Sequence, residues 1–208
     1  MTMKPVVLSF LLFLSFSAFC QKDLQREDVH ADLLKGKKRS ILVYSGKTHS
    51  YTMDITAKSV KASDLPGFAN IDKQIVQSTL VPVPQHTDLT NLTPEKEREV
   101  LTKYMNYELD YYKRKLRHGY SNLQTEWLTL RGHLFLVWYF DMPKDYKLVS
   151  RQIYFSTLFF DQVVDLNAPV FKANDLLHAK SILTKLAGSL KTYNNSLDLA
   201  MLTRQINR

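Results

Sequence analysis

The chain has one cysteine, six glycines, seven prolines and two tryptophans in 208 residues. A lone cysteine, Cys20, excludes an intrachain disulfide and any thiolate-built structural zinc site. The domain must therefore rely on packing. The scattered glycines form no G-x-x-x-x-G-K loop, so the usual phosphate cradle is missing. There is no G-x-S-x-G elbow, and His49-Ser50 is only a loop dipeptide, so no motif announces a nucleophile. The histidines at 30, 49, 86, 118, 133 and 178 never pair as H-x-x-H or H-E-x-x-H. His86 and Asp88 lie close together, but in a Pro-rich stretch that reads as a solvated connection. The expectation is no catalytic residue, no metal ligand and no cofactor. Repeats, long linkers and low-complexity tracts are also missing.

What is present begins with Met1 to Cys20. Lys4 precedes an uncharged apolar run from Val6 to Phe16, and Ser17-Ala18-Phe19-Cys20 leads into Gln21-Lys22-Asp23. That is the anatomy of a signal peptide, and the run is short of the roughly 20 apolar residues a membrane span needs. Two readings of Cys20 compete. As a lipobox cysteine it would carry lipid, but Phe19 stands where a lipobox wants a small residue. As the residue before a signal-peptidase cut, with Ala18 two positions earlier, it fits. Cleavage before Gln21 is the favoured reading. The expectation is an exported protein, periplasmic or secreted, with no transmembrane segment in its mature chain.

The formal net charge of +8 would fall to +7 with the loss of Lys4. This moderate excess suits anionic surfaces such as phospholipid, glycan or an acidic protein. Export argues against nucleic acid, despite a pI of about 9.4.

The polar segment 21–39 reads as a short helix or a tether. Ser40 to Tyr44 and the alternating Tyr51 to Thr56 read as strands. Asp64-Leu65-Pro66-Gly67 is a turn signal. Gln74 to Val83 is β-rich, and Pro82 and Pro84 place its end at a sheet edge. Thr93-Pro94-Glu95 then starts a long helix, with Thr93 as cap and Pro94 in the first turn. Glu95, Glu97 and Glu99 meet the positive end of its dipole, and Lys113, Arg114, Lys115 and Arg117 the negative end. Leu101, Met105, Leu109, Tyr112 and Leu116 form its buried stripe, and Gly119 ends it.

Asn122 to Leu130 and His133 to Phe140 flank Arg131-Gly132, the best tight-turn candidate. Gln152 to Phe160 leads through Asp161-Gln162 into Val163 to Leu166. A second helix, capped by Asn174 or Asp175, is expected to reach about Thr192. The tail 194–208 has room for a short helix.

Hairpins imply antiparallel pairing, and an amphipathic helix needs a surface on which to bury its stripe. The expected fold is α+β: one domain over residues 40–193, an antiparallel sheet with helices packed on it as a sandwich. The helix Thr93 to Arg117, the strand-turn-strand around Trp127 to His133, the aromatic strand Gln152-Ile153-Tyr154-Phe155 and the closing helix Ser181 to Leu190 resemble the PsbP-like superfamily. That superfamily includes DcrB-like envelope proteins and Mog-like Ran-binding proteins. The resemblance spans roughly Tyr51 to Tyr193 and implies a non-enzymatic binding or accessory role.

Two features stand out as binding candidates. One is the basic helix end, Tyr111, Lys113, Arg114, Lys115 and Arg117, which pairs cations with a tyrosine able to stack. Complementing the helix dipole explains the same placement. The other is the aromatic hairpin, Phe135, Trp138, Tyr139 and Phe140, with Tyr154 in the next strand. Alternate members face opposite sides of a sheet, so half fill a core and half can form a recognition face. The leading expectation is a partner-binding protein whose partner is another protein or an envelope component. The alternatives are a small-molecule or lipid carrier with an apolar pocket between helix and sheet, and a hydrolase with a site assembled by folding.

Overall fold

A computed structural model describes residues 29–37, 39–65, 67–83, 87, 89, 92–116, 119–171 and 175–207. The expected signal segment 1–20, Pro84, His86, Asp88, Arg117, His118 and Asn174 lie outside the described residues.

Eleven strands and three helices make up the described chain. The strands are β1 (His30–Lys35), β2 (Ser40–Ser45), β3 (Ser50–Ile55), β4 (Val60–Ala62), β5 (Phe68–Ile71), β6 (Gln74–Pro82), β7 (Ser121–Leu130), β8 (His133–Asp141), β9 (Val149–Phe159), β10 (Gln162–Phe171) and β11 (Lys191–Tyr193). The helices are α1 (Pro94–Lys115), α2 (Leu176–Ala187) and α3 (Leu199–Ile206). The chain is mixed α and β, with more strand than helix. It carries two antiparallel sheets where one was expected: a small one ordered β1-β2-β3-β11 and a large one ordered β4-β5-β6-β10-β9-β8-β7.

Several elements follow their sequence signals. Thr93 caps α1 by accepting from Lys96 N, with Pro94 in the first turn. Leu101, Met105, Leu109, Tyr112 and Leu116 are all buried. Arg131 (φ 50°) and Gly132 (φ 84°) close the β7–β8 hairpin in the left-handed region that a primed two-residue turn needs. Asp175 caps α2 by accepting from Leu177 N.

Other elements differ, each for a local reason. The described part of segment 21–39 includes strand β1, not a helix. Val29, Ala31 and Leu33 pack on the main core at period two, and Ala31 hid that alternation because it reads as neutral. α2 stops at Ala187, capped by Gly188, and Lys191–Tyr193 returns as a strand against β3. Ordered packing therefore reaches beyond residues 40–193 on both sides, since Ile206 of α3 clusters with Ile41 and Val43. β6 lies between β5 and β10, but β5 pairs only with Gln74 to Gln77, so the far end of β6, where Pro82 pairs with Gln162, has β10 on one side alone and is a local edge as expected. The β9–β10 turn is Phe160-Asp161, with Phe160 at φ 53°, one residue earlier than expected.

The core divides across the large sheet. On one face, Phe135, Val137, Ile153, Phe155, Val164 and Leu166 cluster with Met53 and Tyr51 of the small sheet and with Leu183 of α2. On the other, Leu136, Trp138, Phe140, Tyr154 and Leu158 cluster with the stripe of α1. Topology is compatible with this second contact. The chain leaves the sheet at β6 and re-enters it at β7, with three strands between them. Four strand spacings amount to about 19 Å, and a helix of this length spans about 33 Å, so α1 is long enough to bridge them.

Candidate functional site

The site arises from strand register. Antiparallel pairing sets Thr79, Asp165, Ser156 and Leu136 in one cross-strand row of β6, β10, β9 and β8. The next row is Gln77, Asn167, Tyr154 and Trp138. Side chains alternate faces along a strand, so both rows point the same way. Tyr154, Leu136 and Trp138 belong to the α1 cluster, which places the rows beneath that helix. Tyr104, Glu108 and Tyr112, four residues apart, present one line of α1 to them.

Between helix and sheet lies a cavity of about 160 Å³, lined by Gln77, Thr79, Leu80, Val81, Tyr104, Glu108, Tyr112, Tyr154, Asp165 and Asn167. Gln77, Tyr112, Tyr154, Asp165 and Asn167 are buried and form its floor. Thr79, Leu80, Val81, Tyr104 and Glu108 are part-exposed and form its mouth. These described lining residues include two carboxylates and three tyrosines but no lysine, arginine or histidine.

A hydrogen-bond network holds the floor. Trp138 Nε1–H donates to Ser156 Oγ at 3.2 Å, and Ser156 Oγ–H donates to Asp165 Oδ1 at 2.5 Å. Asn167 Nδ2 donates to Asp165 Oδ2 at 3.2 Å, and Gln152 Nε2 donates to Asn167 Oδ1 at 3.3 Å. The Tyr112 and Tyr154 hydroxyls bond to each other, and Trp138 stacks flat on Tyr154 with centroids 3.8 Å apart. Two acceptors here have no hydrogen-bond partner among the described residues, Gln152 Oε1 and Gln77 Oε1. Gln77 is only 2% exposed, and its Oε1 has no hydrogen-bond partner among the described residues. A buried polar atom without a partner costs stability, and in native proteins it calls for a reason.

The electrostatics follow from burial. Desolvation pushes the Asp165 carboxyl up to about 7, although the Ser156 and Asn167 bonds pull it down. Desolvation first, and then the charge of Asp165, pushes Glu108 up to about 7 as well. Burial also raises the hydroxyls of Tyr104, Tyr112 and Tyr154 well above the ordinary tyrosine range. The two acids are thus poised near neutrality in a space that penalises negative charge.

The sequence-expected binding residues lie elsewhere or serve differently. Phe135, Trp138 and Phe140 are fully buried and Tyr154 nearly so, which removes them as an exposed recognition face. Their bulk fills both cores, and Tyr139 is part-exposed. Of these aromatics only Tyr154 lines the cavity, with Trp138 behind it. Lys113, Arg114 and Lys115 are exposed at the end of α1. Lys113 Nζ meets Asp110 at 3.3 Å, and Lys115 Nζ lies 5.7 Å from the Tyr111 ring. An open groove of about 400 Å³ near that end is lined by Gly119, Tyr120, Ser121, Pro143, Lys144 and Asp145. It is larger, but apart from Ser121 at the start of β7 its described walls are loop residues, and none of them is a buried polar group.

Gln77, Glu108, Asp165 and Asn167 were not singled out by sequence. The usable signal was polar alternation in β10, where Asp165 and Asn167 interleave with Val164, Leu166 and Ala168. Among the described residues, no group of three or more His, Cys, Asp or Glu side chains could hold a metal ion. No described helix is long and apolar enough to cross a membrane. The chain matches no family model and no curated protein.

Proposed function

We propose that this chain is an exported binding protein that holds a small polar molecule between its long helix and its large sheet. The observation that carries the reading is the cavity itself, which sets two acids beside Gln77, whose Oε1 is one of five buried side-chain atoms without a hydrogen-bond partner among the described residues. Such an acceptor suits a ligand that donates a hydrogen bond. In this reading α1 packs over the sheet as one wall of the site, and the helices lie as layers on sheet faces. The resemblance to PsbP-like proteins supports a binding role over a catalytic one.

The pocket location is that of the carrier reading, but its chemistry is polar, not apolar. At about 160 Å³ it is smaller than the roughly 300–1,000 Å³ of drug-sized sites, which disfavours a lipid chain. A protein partner held by exposed aromatics loses its support with their burial.

A second reading is favoured by one observation. Two carboxylates raised to about 7 in one cavity are the arrangement that general acid–base chemistry uses. Substrate turnover by the wild type, lost in Glu108→Gln, would select it.

Trp138 supplies the test, because it stacks on the cavity wall. Small polar compounds are screened by nuclear magnetic resonance for shifts of the Trp138 indole N–H. The reading expects shifts that vanish when Gln77→Phe fills the cavity. Shifts unchanged by Gln77→Phe, or none from any compound, would overturn it.

A further inference from the structure

The lining has an unbalanced set of hydrogen-bonding groups. It offers the Gln77 Oε1 acceptor, which has no partner among the described residues, and the oxygens of Glu108 and Asp165. The fixed donors on the floor are already engaged: Asn167 Nδ2 and Ser156 Oγ–H both point at Asp165. The Tyr112 and Tyr154 hydroxyls share one hydrogen bond, which engages one of their two O–H donors, and the Thr79 and Tyr104 hydroxyls complete the lining. No cationic side chain stands among the described lining residues, although the chain carries a formal net charge of +8. The cations of this basic protein are placed elsewhere, as at the exposed end of α1. Ligand-derived positive charge is what this cavity is short of.

We infer that the site selects a small primary ammonium compound, whose three N–H groups are received by Gln77 Oε1, Glu108 and Asp165, with tyrosine rings as the walls. An ammonium group has three donors and no acceptor, which matches a space rich in acceptors. Ring faces attract a cation, and more strongly where water is excluded. Bringing a cation beside two buried acids also relieves the desolvation penalty that holds them near neutrality. An anion would meet like charge, and a neutral alcohol brings only one donor. The cavity volume of about 160 Å³ limits the rest of the molecule to a short chain. This inference rests on the proposed small-molecule reading and names the chemical class.

Three probes of nearly the same shape test it: n-propylammonium, n-propanol and propionate. Each is titrated into the full chain while the Trp138 indole N–H is followed. The expected result is half-saturation by n-propylammonium at a concentration about tenfold or more below that of the alcohol, with propionate weakest. Glu108→Gln should remove that preference, bringing n-propylammonium and n-propanol to within about threefold of each other. Asp165→Asn is the second variant if the first does not fold, and the wild-type ranking needs neither. Equal or tighter binding of n-propanol or propionate overturns the cation inference and leaves the small-molecule reading standing. If none of the three probes shifts Trp138, the cation inference falls. The broader compound screen then decides the small-molecule reading on its own.

Discussion

The two faces of the seven-stranded sheet are made by the same strands and do different work. Along β10, Val164, Leu166 and Ala168 point into the core shared with the small sheet and α2. Asp165 and Asn167, the residues between them, point toward α1. The first face is mostly hydrocarbon, closed by the small sheet and α2. The second is divided. At β8 it carries Leu136, Trp138 and Phe140. At β6 and β10 it carries Gln77, Thr79, Asp165 and Asn167. Burying polar groups there costs stability that hydrocarbon would supply, and the network recovers only part of it. The difference teaches that one face is given over to hydrocarbon packing, while the other combines packing with the polar groups to which the proposed reading assigns recognition.

The largest expected effect breaks the stabilising face. Leu166→Ala, between Asp165 and Asn167 in sequence and fully buried, should cost about 2–5 kcal/mol in equilibrium denaturation. A loss below about 1 kcal/mol would mean that this face is not where stability resides.

Next in size is a pH effect on the polar face. The Asp165 pKa is raised in the folded state, so the native chain holds a proton that the unfolded chain releases above about pH 4. Its contribution is fully present below about pH 4, is lost as pH rises toward 7, and then levels off. Asp165→Asn lacks this term. Relative to wild type, the variant should therefore gain stability between pH 5 and 8, by about 1–3 kcal/mol. Glu108 acts in the same direction, so Glu108→Gln should flatten the remaining slope. Parallel stability curves for wild type and Asp165→Asn would contradict the assignment.

The fold was more legible in the sequence than the site, for physical reasons. α1 carries its cap, its charges and its stripe in one contiguous stretch, so Thr93, Glu95 and Leu109 could be read directly. The β7–β8 turn likewise needed only Arg131-Gly132. The second sheet was not legible, because β11 has three residues and its partner β3 lies more than a hundred positions earlier. The cavity was hidden for the same reason. It forms only once Gln77, Glu108, Tyr154 and Asp165 are brought together from four elements by register and by the helix crossing. Aromatic side chains drew attention by their size, yet Phe135, Trp138 and Phe140 turn out to be packing material. What marks the site is polarity out of place, a weaker signal in one dimension.

The smallest effect sharpens the contrast between that polarity and surface charge. Lys113→Ala, Arg114→Ala and Lys115→Ala lie on exposed helix and should each change stability by less than about 0.5 kcal/mol. They should also leave probe binding beneath α1 unchanged. A loss of binding in any of them would move the site to the helix end and the neighbouring open groove.

The central claim is that the polar face is kept for a ligand at the expense of stability. Its most direct measurement is equilibrium denaturation of wild type and Gln77→Met, each with and without n-propylammonium. A ligand that binds only the folded state raises its stability. The account predicts that Gln77→Met is as stable as wild type or more stable by up to about 1 kcal/mol, because a partnerless buried acceptor has been removed. It also predicts that n-propylammonium stabilises wild type and not the variant. A variant destabilised by about 2 kcal/mol or more, with the same response to n-propylammonium as wild type, would show that Gln77 holds the fold together and that the cavity is not the ligand site.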